Sequence, residues 1–482
     1  MYFMSHDVVL IKGDGIGPEV IESTKKIIDS SGVSINWHEC IAGSKVFKSG
    51  EATGLPKETI DLIEKYKIAL KGPLETPIGY GEKSANVTLR KYFETYGNIR
   101  TVTDIPGVQT PYSGKGVNLV IVRENIEDLY AGIEHMQTPN VAQCLKLISN
   151  EGSIKISRLA FEYAKSTGKK LVTCATKANI MKFSEGLFKR SFESVSKEYN
   201  EINSDHIIID NCAHMLVKNP SIFDVIVTTN MNGDIISDLA SGLVGGLGLA
   251  PGANIGDEVS IFEAVHGSAP EIAGKNIANP TAVLLSGVMM LRHMGEFEAA
   301  NNIEQALYYT MGIQNKMTGD IAVEGKHKKL STSDFTNAII DNMGEKYSED
   351  NNTLEYVPIS IRKDKIKHES PKQEIVGLDV FIETKEYIKS VGDKLSEIAE
   401  NHDFKLKIIS SRGMKVYPNE KYRKDLPDFL QCRFLLTNNK SFSDSIFLNL
   451  IGEIQISYPW VHIEKLKTFD GVNTFSKAHG ES

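Results

Sequence analysis

Short runs rich in valine and isoleucine alternate with helical patterns along the chain as far as about residue 345. The runs include VNLVIVREN, KKLVTCATK, HIIIDN and DVIVTTN, and the helical patterns include SRLAFEYAKSTG and AVLLSGVMMLRHMG. Strands that are separated by helices pair side by side through helical crossovers, which makes the sheet mainly parallel. The alternation therefore predicts an α/β fold built on a largely parallel sheet.

The remainder of the chain has a different rhythm. Residues 346–373 are polar and charged, which is typical of a linker. Residues 374–482 then follow the order βαββαβ, from IVGLDVFIET to WVHIEKLKTFD, which is the order of a ferredoxin-like unit. Because this unit carries no convergent catalytic set, an interaction or dimer-supporting role is favoured over a catalytic one.

Composition excludes several classes of partner. The chain has 482 residues and a net charge of −8 with no basic stripe, which argues against nucleic acid and against an anionic membrane surface. Its five cysteines show no C-x-x-C pairing, so neither a disulfide framework nor a zinc site is indicated. No signal peptide and no apolar stretch of membrane-spanning length is evident, and we expect a cytoplasmic protein.

The stretch VVLIKGDGIGPEV has two interpretations. A dinucleotide-binding fingerprint has the spacing G-x-G-x-x-G after a strand, whereas Gly13, Gly15 and Gly17 are spaced G-x-G-x-G. Pro18 suits the first turn of a helix, and Glu39 lies far enough downstream to mimic the ribose-binding acid of a true fingerprint. The spacing favours a tight strand-to-helix turn and leaves the fingerprint open.

Arginine and polar side chains gather in the first third of the chain. Ser84, Asn86 and Arg90 lie within two helical turns, Arg100 follows, and Arg123 ends an apolar run. An arginine at the carboxyl end of a strand stands where open α/β sheets bind ligands, and its planar fork suits carboxylates. Each arginine alone is better explained as a surface residue, but together they suit a polycarboxylate.

Carboxylates and proton-transfer candidates lie further along. Asp210 ends HIIID, and Asp234 and Asp238 would share one face of a helix, as suits Mg²⁺ or Mn²⁺. The segment Asn232-Gly233-Asp234 is alternatively a turn with a helix cap. Tyr130 and Lys177 are candidates for proton transfer, although both need an environment that moves their pKa. The loop-like run EAVHGSAPEIAGKNIANP contains small residues that allow a ligand to approach the backbone closely.

Six segments together resemble the β-decarboxylating dehydrogenases, the family of isocitrate, homoisocitrate, isopropylmalate and tartrate dehydrogenases. They are GDGIGPEV, SANVTLR, VIVRENIEDLYAGIEH, TKANIMKFSEG, TTNMNGDIISDLASGLVGGLGLAPGANIG and FEAVHGSAPEIAGKNIANP, and the likeness spans residues 7–345. VGLDVFIET, ISSRGMKVYP, CRFLL and EKLKTFDG resemble the extra C-terminal domain of the Thermus-type isocitrate dehydrogenases. This family does not use the Rossmann fold, so the resemblance implies that the opening turn is not a dinucleotide fingerprint.

The resemblance also implies a domain plan. A large cofactor-binding domain is expected from residues 1–104 and 245–345. A small domain for substrate and dimerisation, including a clasp, is expected from residues 105–244. The fold class is thus an isocitrate/isopropylmalate dehydrogenase-like, non-Rossmann two-domain core, followed by the ferredoxin-like βαββαβ domain at 374–482.

Site roles follow from the resemblance position by position. Arg90, Arg100 and Arg123 are expected to bind the substrate carboxylates. Ser84 and Asn86 match the isocitrate pattern rather than the isopropylmalate one. The implied metal ligands are Asp234 and Asp238 with Asp210 from a neighbouring subunit, and the implied acid and base are Tyr130 and the neighbour's Lys177. Composite sites of this kind imply an obligate homodimer.

The resemblance places coenzyme binding on the HGSAPEIAG loop and nearby positions. The expected contacts are Glu75, Thr76, His266, Gly267, Ser268, Ala269, Glu271, Ile272, Asn279 and Asp320. NADP-dependent relatives have lysine and tyrosine at the positions of Glu271 and Ile272, and some have tyrosine and arginine where Gly319 and Val323 stand here. The chain is therefore expected to oxidise and decarboxylate isocitrate with NAD. NADP, a homoisocitrate or isopropylmalate substrate, and a non-catalytic regulatory subunit are the alternatives.

Overall fold

The computed structural model describes residues 5–75, 84–347, 370–418, 426–437 and 442–481. The chain forms two compact units, one from Met1–Ala131 and Lys146–Asp364 and the other from Gly132–Leu145 and Lys365–Ser482. The predicted linker at 346–373 falls largely outside the described residues. The predicted division of the first unit at residues 104/105 and 244/245 stays a prediction.

Strands and helices alternate as the sequence pattern predicts. The strands are β1 (His6–Ile11), β2 (Ile35–Cys40), β3 (Ile68–Lys71), β4 (Gly97–Thr103), β5 (Asn118–Glu124), β6 (Glu134–Thr138), β7 (Val141–Cys144), β8 (Leu171–Thr176), β9 (Asn203–Ile208), β10 (Val225–Thr228), β11 (Pro251–Ile255), β12 (Ser260–Ala264), β13 (Lys316–Thr318), β14 (Lys328–Leu330), β15 (Gln373–Glu383), β16 (Phe404–Ser411), β17 (Met414–Tyr417), β18 (Phe429–Leu436), β19 (Trp460–Phe469) and β20 (Val472–Asn473). The helices are α1 (Gly17–Ser30), α2 (Ser44–Lys48), α3 (Lys57–Tyr66), α4 (Ala85–Tyr92), α5 (Asn150–Ser166), α6 (Ser184–Ser196), α7 (Ile209–Lys218), α8 (Asn230–Leu243), α9 (Thr281–His293), α10 (Phe297–Gly312), α11 (Thr332–Asp341), α12 (Ile388–Asn401) and α13 (Asp444–Ser457).

A ten-stranded sheet in the order β2-β1-β3-β12-β11-β4-β5-β10-β8-β9 organises the first unit. The outer strands pair in parallel, while β12, β11, β4 and β5 pair antiparallel to one another in the middle. One face of the sheet is covered continuously by apolar side chains of α1, α5, α6, α9 and α10. The other face has two separate apolar clusters, with α3 and α4 over β1 and β3, and α7 and α8 over β5 and β10. The middle of this second face is therefore left for polar side chains.

The second unit contains a six-stranded antiparallel sheet in the order β17-β16-β18-β15-β19-β20, with α12 and α13 packed against it. The order β16-β18-β15-β19 is that of a ferredoxin-like sheet, so the predicted fold is confirmed, with β17 and β20 added at its edges. The hairpin of β6 and β7 belongs to this unit. Asp428 accepts hydrogen bonds from Thr138 Oγ1 at 2.9 Å and from Asn140 Nδ2 at 2.8 Å, which attach the hairpin to the sheet.

Local boundaries differ from the sequence prediction at three places. Strand β9 ends at Ile208, so Asp210 lies in the first turn of α7 and not at a strand end. The segment Asn232–Asp234 is inside α8, and the alternative of a capped turn is wrong. Glu263 belongs to β12, so the loop predicted from that residue starts later. None of the described helices is long and apolar enough to span a bilayer.

Candidate active site

The polar middle of the sheet is formed by side chains that alternate along the central strands. Successive residues of a strand point to opposite faces. Asn98 and Arg100 of β4, Asn254 of β11 and Glu263 of β12 are buried together on the face that lacks an apolar cover. The sheet thus carries charge in its interior, which requires partners for every charged group.

A cavity of about 130 Å³ opens above these strands. Its wall includes Asn86 and Arg90 of α4, Arg100 of β4, and His266 with Gly267. Asn86 Oδ1, Arg90 Nε and His266 Nε2 are buried and make no hydrogen bond to the described residues. Buried polar groups are normally paired, so three such atoms around one cavity indicate that a polar ligand completes them. Asn86, Arg90 and Arg100 of the predicted substrate residues therefore lie around the same cavity as His266 and Gly267 of the predicted coenzyme loop.

Charge beneath the cavity is balanced by residues that the sequence analysis missed. Glu263 forms ion pairs with Lys71 and with Arg90, the latter at 3.0 Å, and accepts a hydrogen bond from Asn254 at 2.7 Å. Burial opposes ionisation of Glu263, but Lys71 and Arg90 hold its pKa far below the ordinary value. Lys71 and Glu263 each lie near the carboxyl end of an apolar strand, the signal that identified Arg123. The same rule applied to IALK and IFEA would have found them.

Replacing Glu263 with glutamine is expected to raise the KM for substrate by about tenfold, because Arg90 loses the carboxylate that orients it and Lys71 is left without its buried counter-ion. Steady-state kinetics measures the effect, with a thermal unfolding scan to confirm that the variant is folded. Glu304→Gln, which breaks the partly buried pair with Arg292 at 2.7 Å, is the matched control and should leave KM unchanged. An unchanged KM in Glu263→Gln would contradict a positioning role.

Two arginines and two aspartates form the second part of the site. Arg100 contacts Asp238 Oδ1 at 3.2 Å and Asp234 Oδ1 at 3.5 Å, and Arg123 forms an ion pair with Asp234. Burial and the neighbouring Arg123 and Arg90 lower the pKa of Arg100 to about 10, which still leaves it charged at neutral pH. Burial also opposes ionisation of Asp234, but Arg123 keeps its pKa below the ordinary value. Arg100 and Arg123 thus pair with the aspartates of α8, and their binding of substrate carboxylates stays a prediction.

Close packing of α8 on β5 holds Arg123 in place. A Cβ on Gly233 would lie 2.6 Å from Arg123 Cγ, so only glycine allows the helix to approach the arginine this closely. Asn230, in the first turn of the same helix, accepts hydrogen bonds from Arg123 Nε at 3.0 Å and from its terminal nitrogen at 2.7 Å. Arg123 is 1% exposed and has few other conformations available. Asn230 was not predicted.

Tyr130 lies against this cluster. Its hydroxyl donates a hydrogen bond to Asp234, and its ring lies 4.9 Å from the guanidinium carbon of Arg123. Burial and the carboxylate of Asp234 raise the pKa of Tyr130, while Arg123 acts in the opposite direction. The phenol is therefore protonated at neutral pH, as a general acid must be.

Asp234 and Asp238 are the candidate metal ligands that the structure brings together. They lie one turn apart on α8, and carboxylate oxygens are the donors that Mg²⁺ and Mn²⁺ prefer. Asp210 is not part of this cluster, because in the described part of the chain no three acidic, histidine or cysteine side chains are grouped for a metal. It pairs with Lys177 Nζ at 2.7 Å, and the ion pair lowers the pKa of Asp210. Asp234 and Asp238 of one chain therefore fit the predicted ion as two of its ligands. A third ligand would come from a neighbouring subunit, as predicted for Asp210.

The loop that carries Lys177 is fixed by a buried group. Glu185 accepts a hydrogen bond from the backbone N–H of Lys177 at 3.0 Å and forms an ion pair with Lys146 at 2.9 Å. Lys146 also pairs with Asp128, whose carboxylate accepts from the N–H of Met231 at 2.9 Å. The loop of Lys177 and the first turn of α8 are therefore held by one connected set of charged side chains, Glu185, Lys146 and Asp128. The sequence patterns did not predict this set.

The opening glycine turn supports the loop that is predicted to bind the coenzyme. Ile16 N–H donates to Ser268 O at 2.8 Å, and a Cβ on Gly15 would lie 2.0 Å from that oxygen. Gly15 also has a φ of +57°, which favours glycine. Asp14 is buried and accepts from the N–H of Glu75 at 2.9 Å. The turn thus contacts the HGSAP backbone directly, and glycine at position 15 allows this close approach.

Other predicted coenzyme residues lie around the same loop. Asn279 donates to Asp320 Oδ2 at 3.0 Å, and Ala269 and Ile272 pack partly buried against the main core. His266 Nδ1 donates to Gly267 O at 2.9 Å, and because burial lowers its pKa the ring is neutral with Nε2 free to accept. Glu271 is exposed and makes no hydrogen bond or ion pair with a described residue. Thr76 lies outside the described residues.

Ser84 immediately precedes α4, and Asn86 and Arg90 lie one turn apart on that helix, as the isocitrate pattern requires. At the other end of the site, Lys329 of β14 covers Gly319. A Cβ on Gly319 would lie 2.3 Å from Lys329 Cε and 2.8 Å from Nζ. A cation therefore occupies the space that a side chain at position 319 would take.

Comparisons with known proteins identify the class of this chain. Residues 7–339 match the family model described as isocitrate/isopropylmalate dehydrogenase, and the chain belongs to that family. Residues 373–481 match the model described as the bacterial isocitrate dehydrogenase C-terminal domain. The resemblance predicted from the sequence motifs is therefore confirmed for both parts.

Similar proteins share nearly the whole length. A protein named isocitrate dehydrogenase [NADP] from Thermus thermophilus is 53% identical, and the match covers 98% of this chain and 96% of that protein. One of the same name from Rickettsia prowazekii is 39% identical over 98% of this chain and 99% of its own length. The crystal structure of the TT0538 protein from Thermus thermophilus matches with a TM-score of 0.94 and 53% identity, covering 99% of this chain and 96% of that one.

Proposed function

We propose that this protein is a metal-dependent enzyme that oxidises isocitrate and decarboxylates it to 2-oxoglutarate and CO₂. The observation that supports this proposal best is the cavity wall, which contains Asn86, Arg90 and Arg100, with Arg100 in contact with Asp234 and Asp238. Cationic forks next to two hard oxygen donors suit a hydroxy acid with several carboxylates. The names of the full-length relatives point to the same activity.

Substrate binding is assigned to the arginines. Arg90, Arg100 and Arg123 bind the carboxylates, and the unpaired Oδ1 of Asn86 points to a further contact with the substrate or its bound water. The asparagines of the sheet hold the arginines in one geometry, since Arg100 Nε donates to Asn98 Oδ1 at 2.7 Å. Side chains fixed in this way bind the substrate with little loss of conformational freedom.

Acid and base roles are assigned to Tyr130 and Lys177. Lys177 relays the proton of the C2 hydroxyl away as hydride passes from C2 to the nicotinamide of the oxidised coenzyme, which gives the 2-oxo tricarboxylic acid oxalosuccinate. After CO₂ departs, Tyr130 donates its proton to C3 to give 2-oxoglutarate. A divalent metal held by Asp234 and Asp238 supplies positive charge that stabilises the negative oxygen in both steps.

The different partners of Lys177 and Tyr130 support a site shared by two chains. Lys177 pairs with Asp210 at 2.7 Å, whereas Tyr130 pairs with Asp234. Because Lys177 and Asp210 lie together, a second copy of the chain would deliver the base and the third metal ligand as one unit. We therefore propose a homodimer in which each site takes Lys177 and Asp210 from its partner.

The coenzyme is NADP in this proposal, with NAD as the second candidate. The names of the two full-length relatives favour NADP, and Lys329 over Gly319 supplies a cation for its 2′-phosphate. The exposed carboxylate of Glu271, which pairs with no described residue, favours NAD, the coenzyme expected from the sequence, because it can accept hydrogen bonds from ribose hydroxyls and repels phosphate.

Steady-state kinetics of isocitrate oxidation with Mn²⁺ and each coenzyme tests the proposal. We expect isocitrate-dependent reduction with a higher kcat/KM for NADP, and Lys329→Met should lower kcat/KM for NADP by about tenfold, since one charge-assisted contact contributes about 1.5–3 kcal/mol. The matched control is Lys328→Met, on the neighbouring residue of the same strand. If the native enzyme prefers NAD and Glu271→Lys reverses that preference, NAD is the coenzyme and the NADP proposal is wrong. Turnover of isopropylmalate or homoisocitrate alone would overturn the assignment of substrate.

A further inference from the structure

A second cavity, of about 250 Å³, lies on the opposite face of the strands that carry the candidate active site. Alternation along the strands divides their residues between the two cavities. Ile99 of β4 faces the second cavity and Arg100 faces the first. Phe262 and Glu263 of β12 are divided in the same way. One layer of backbone therefore separates the two spaces.

The second cavity is bounded by helices on both sides. Tyr163 and Ser166 belong to α5 on one side, and Met289 of α9 with Tyr308 of α10 lies on the other. Its floor is formed by apolar side chains of the central sheet, including Ile99. An apolar floor with a few polar groups at the wall is typical of small-molecule sites, although the volume is slightly below the ~300–1,000 Å³ of drug-sized ligands.

Three basic side chains line this cavity, and only one of them is suited to an anion. Arg292 is neutralised by Glu304 at 2.7 Å, and burial lowers the pKa of His293, which leaves the imidazole neutral. Lys169 Nζ instead donates to the carbonyl oxygen and to Oδ1 of Asn118, at 2.5 and 2.9 Å. Both of these acceptors are neutral. Burial lowers the pKa of Lys169 while Asp224 acts in the opposite direction.

We propose that this cavity is a second binding site, and that its ligand is a small amphipathic monocarboxylate. The apolar body of the ligand lies on the floor between α5 and α9, and its carboxylate pairs with Lys169, a partly buried cation whose hydrogen bonds to described residues go to the two neutral oxygens of Asn118. A charge-assisted contact at the edge of an apolar cavity gives orientation as well as affinity. The site is separate from the isocitrate cavity because the strands lie between them.

Isothermal titration calorimetry of the full-length protein with 4-phenylbutyrate tests this site. We expect one site per chain with a Kd of roughly 0.1–1 mM, as suits a ligand of this size. Binding should persist in saturating isocitrate, and the uncharged 4-phenylbutanamide should bind at least tenfold more weakly. Lys169→Met should weaken binding of 4-phenylbutyrate at least tenfold, with kcat/KM for isocitrate unchanged.

Two further variants complete the test. Lys170→Met changes the neighbouring exposed lysine and should leave binding as in the native protein. Met289→Trp enlarges a side chain of the cavity wall and should abolish binding. The proposal is overturned if no heat is detected, if isocitrate displaces 4-phenylbutyrate, or if Lys169→Met and Lys170→Met bind it equally. Native melting temperatures in the variants show that any loss of binding is local.

Discussion

A random mixture of Lys177→Met and Tyr130→Phe chains is expected to regain about a quarter of the native turnover through mixed dimers, although each variant alone is nearly inactive. Each substitution removes a proton-transfer group and should lower kcat by about 10²–10⁴-fold. In a mixed dimer, the Lys177→Met chain keeps its tyrosine and receives an intact lysine from its partner. One of the two sites is then complete, and random association makes about half of the dimers mixed.

The control for this experiment mixes two variants whose substituted residues would both reach the shared site from the same partner subunit. Lys177 and Asp210 lie 2.7 Å apart, so a partner would contribute both of them to one site. A mixture of Lys177→Met with Asp210→Asn should therefore regain nothing, because each site in the mixed dimer contains a defect. If the first mixture also stayed inactive while native gels showed mixed dimers, the shared site would be refuted.

Replacing Arg100 with alanine is expected to lower kcat/KM for isocitrate, because it removes a bidentate contact to a substrate carboxylate. The loss corresponds to about 2–4 kcal/mol of transition-state stabilisation. Arg100 also contacts Asp238 at 3.2 Å and Ser237 Oγ at 2.5 Å, so the loss leaves both without their cation. The KM for the coenzyme should change little. Steady-state kinetics with each substrate varied in turn separates these effects.

Arg190→Ala provides the comparison for Arg100→Ala, since Arg190 is exposed on α6. This variant should have native kinetics with both substrates. Arg100→Lys should recover only part of the activity, because a lysine retains the charge but lacks the planar fork. Equal kcat/KM values in Arg100→Ala and the native enzyme would remove Arg100 from the substrate site.

Local pattern was sufficient to predict the elements and the type of each unit. Valine and isoleucine runs became strands, and the order βαββαβ became a ferredoxin-like sheet, because both signals depend on neighbours in the sequence. Arg123 and the pair Asp234 and Asp238 were also predictable, since a strand end and a helical spacing place them.

Contacts between distant segments were not predictable in this way. Glu263 balances Lys71 and Arg90, which lie more than 170 positions away in the sequence. Their pairing depends on which strands become neighbours in the sheet, and the spacing of residues along one chain does not give that order. The boundary of α7 was missed for a related reason. The apolar run continues from β9 into the helix, so periodicity could not place Asp210.

The opening glycine turn contacts the HGSAPEIAG loop through main-chain atoms, since Ile16 N–H donates to Ser268 O at 2.8 Å. The side chains of Glu271 and Ile272 take no part in that contact. Natural selection can therefore exchange these two side chains while the loop keeps its attachment. In evolutionary terms, the surface of the loop would change through a few substitutions without loss of the turn that supports it.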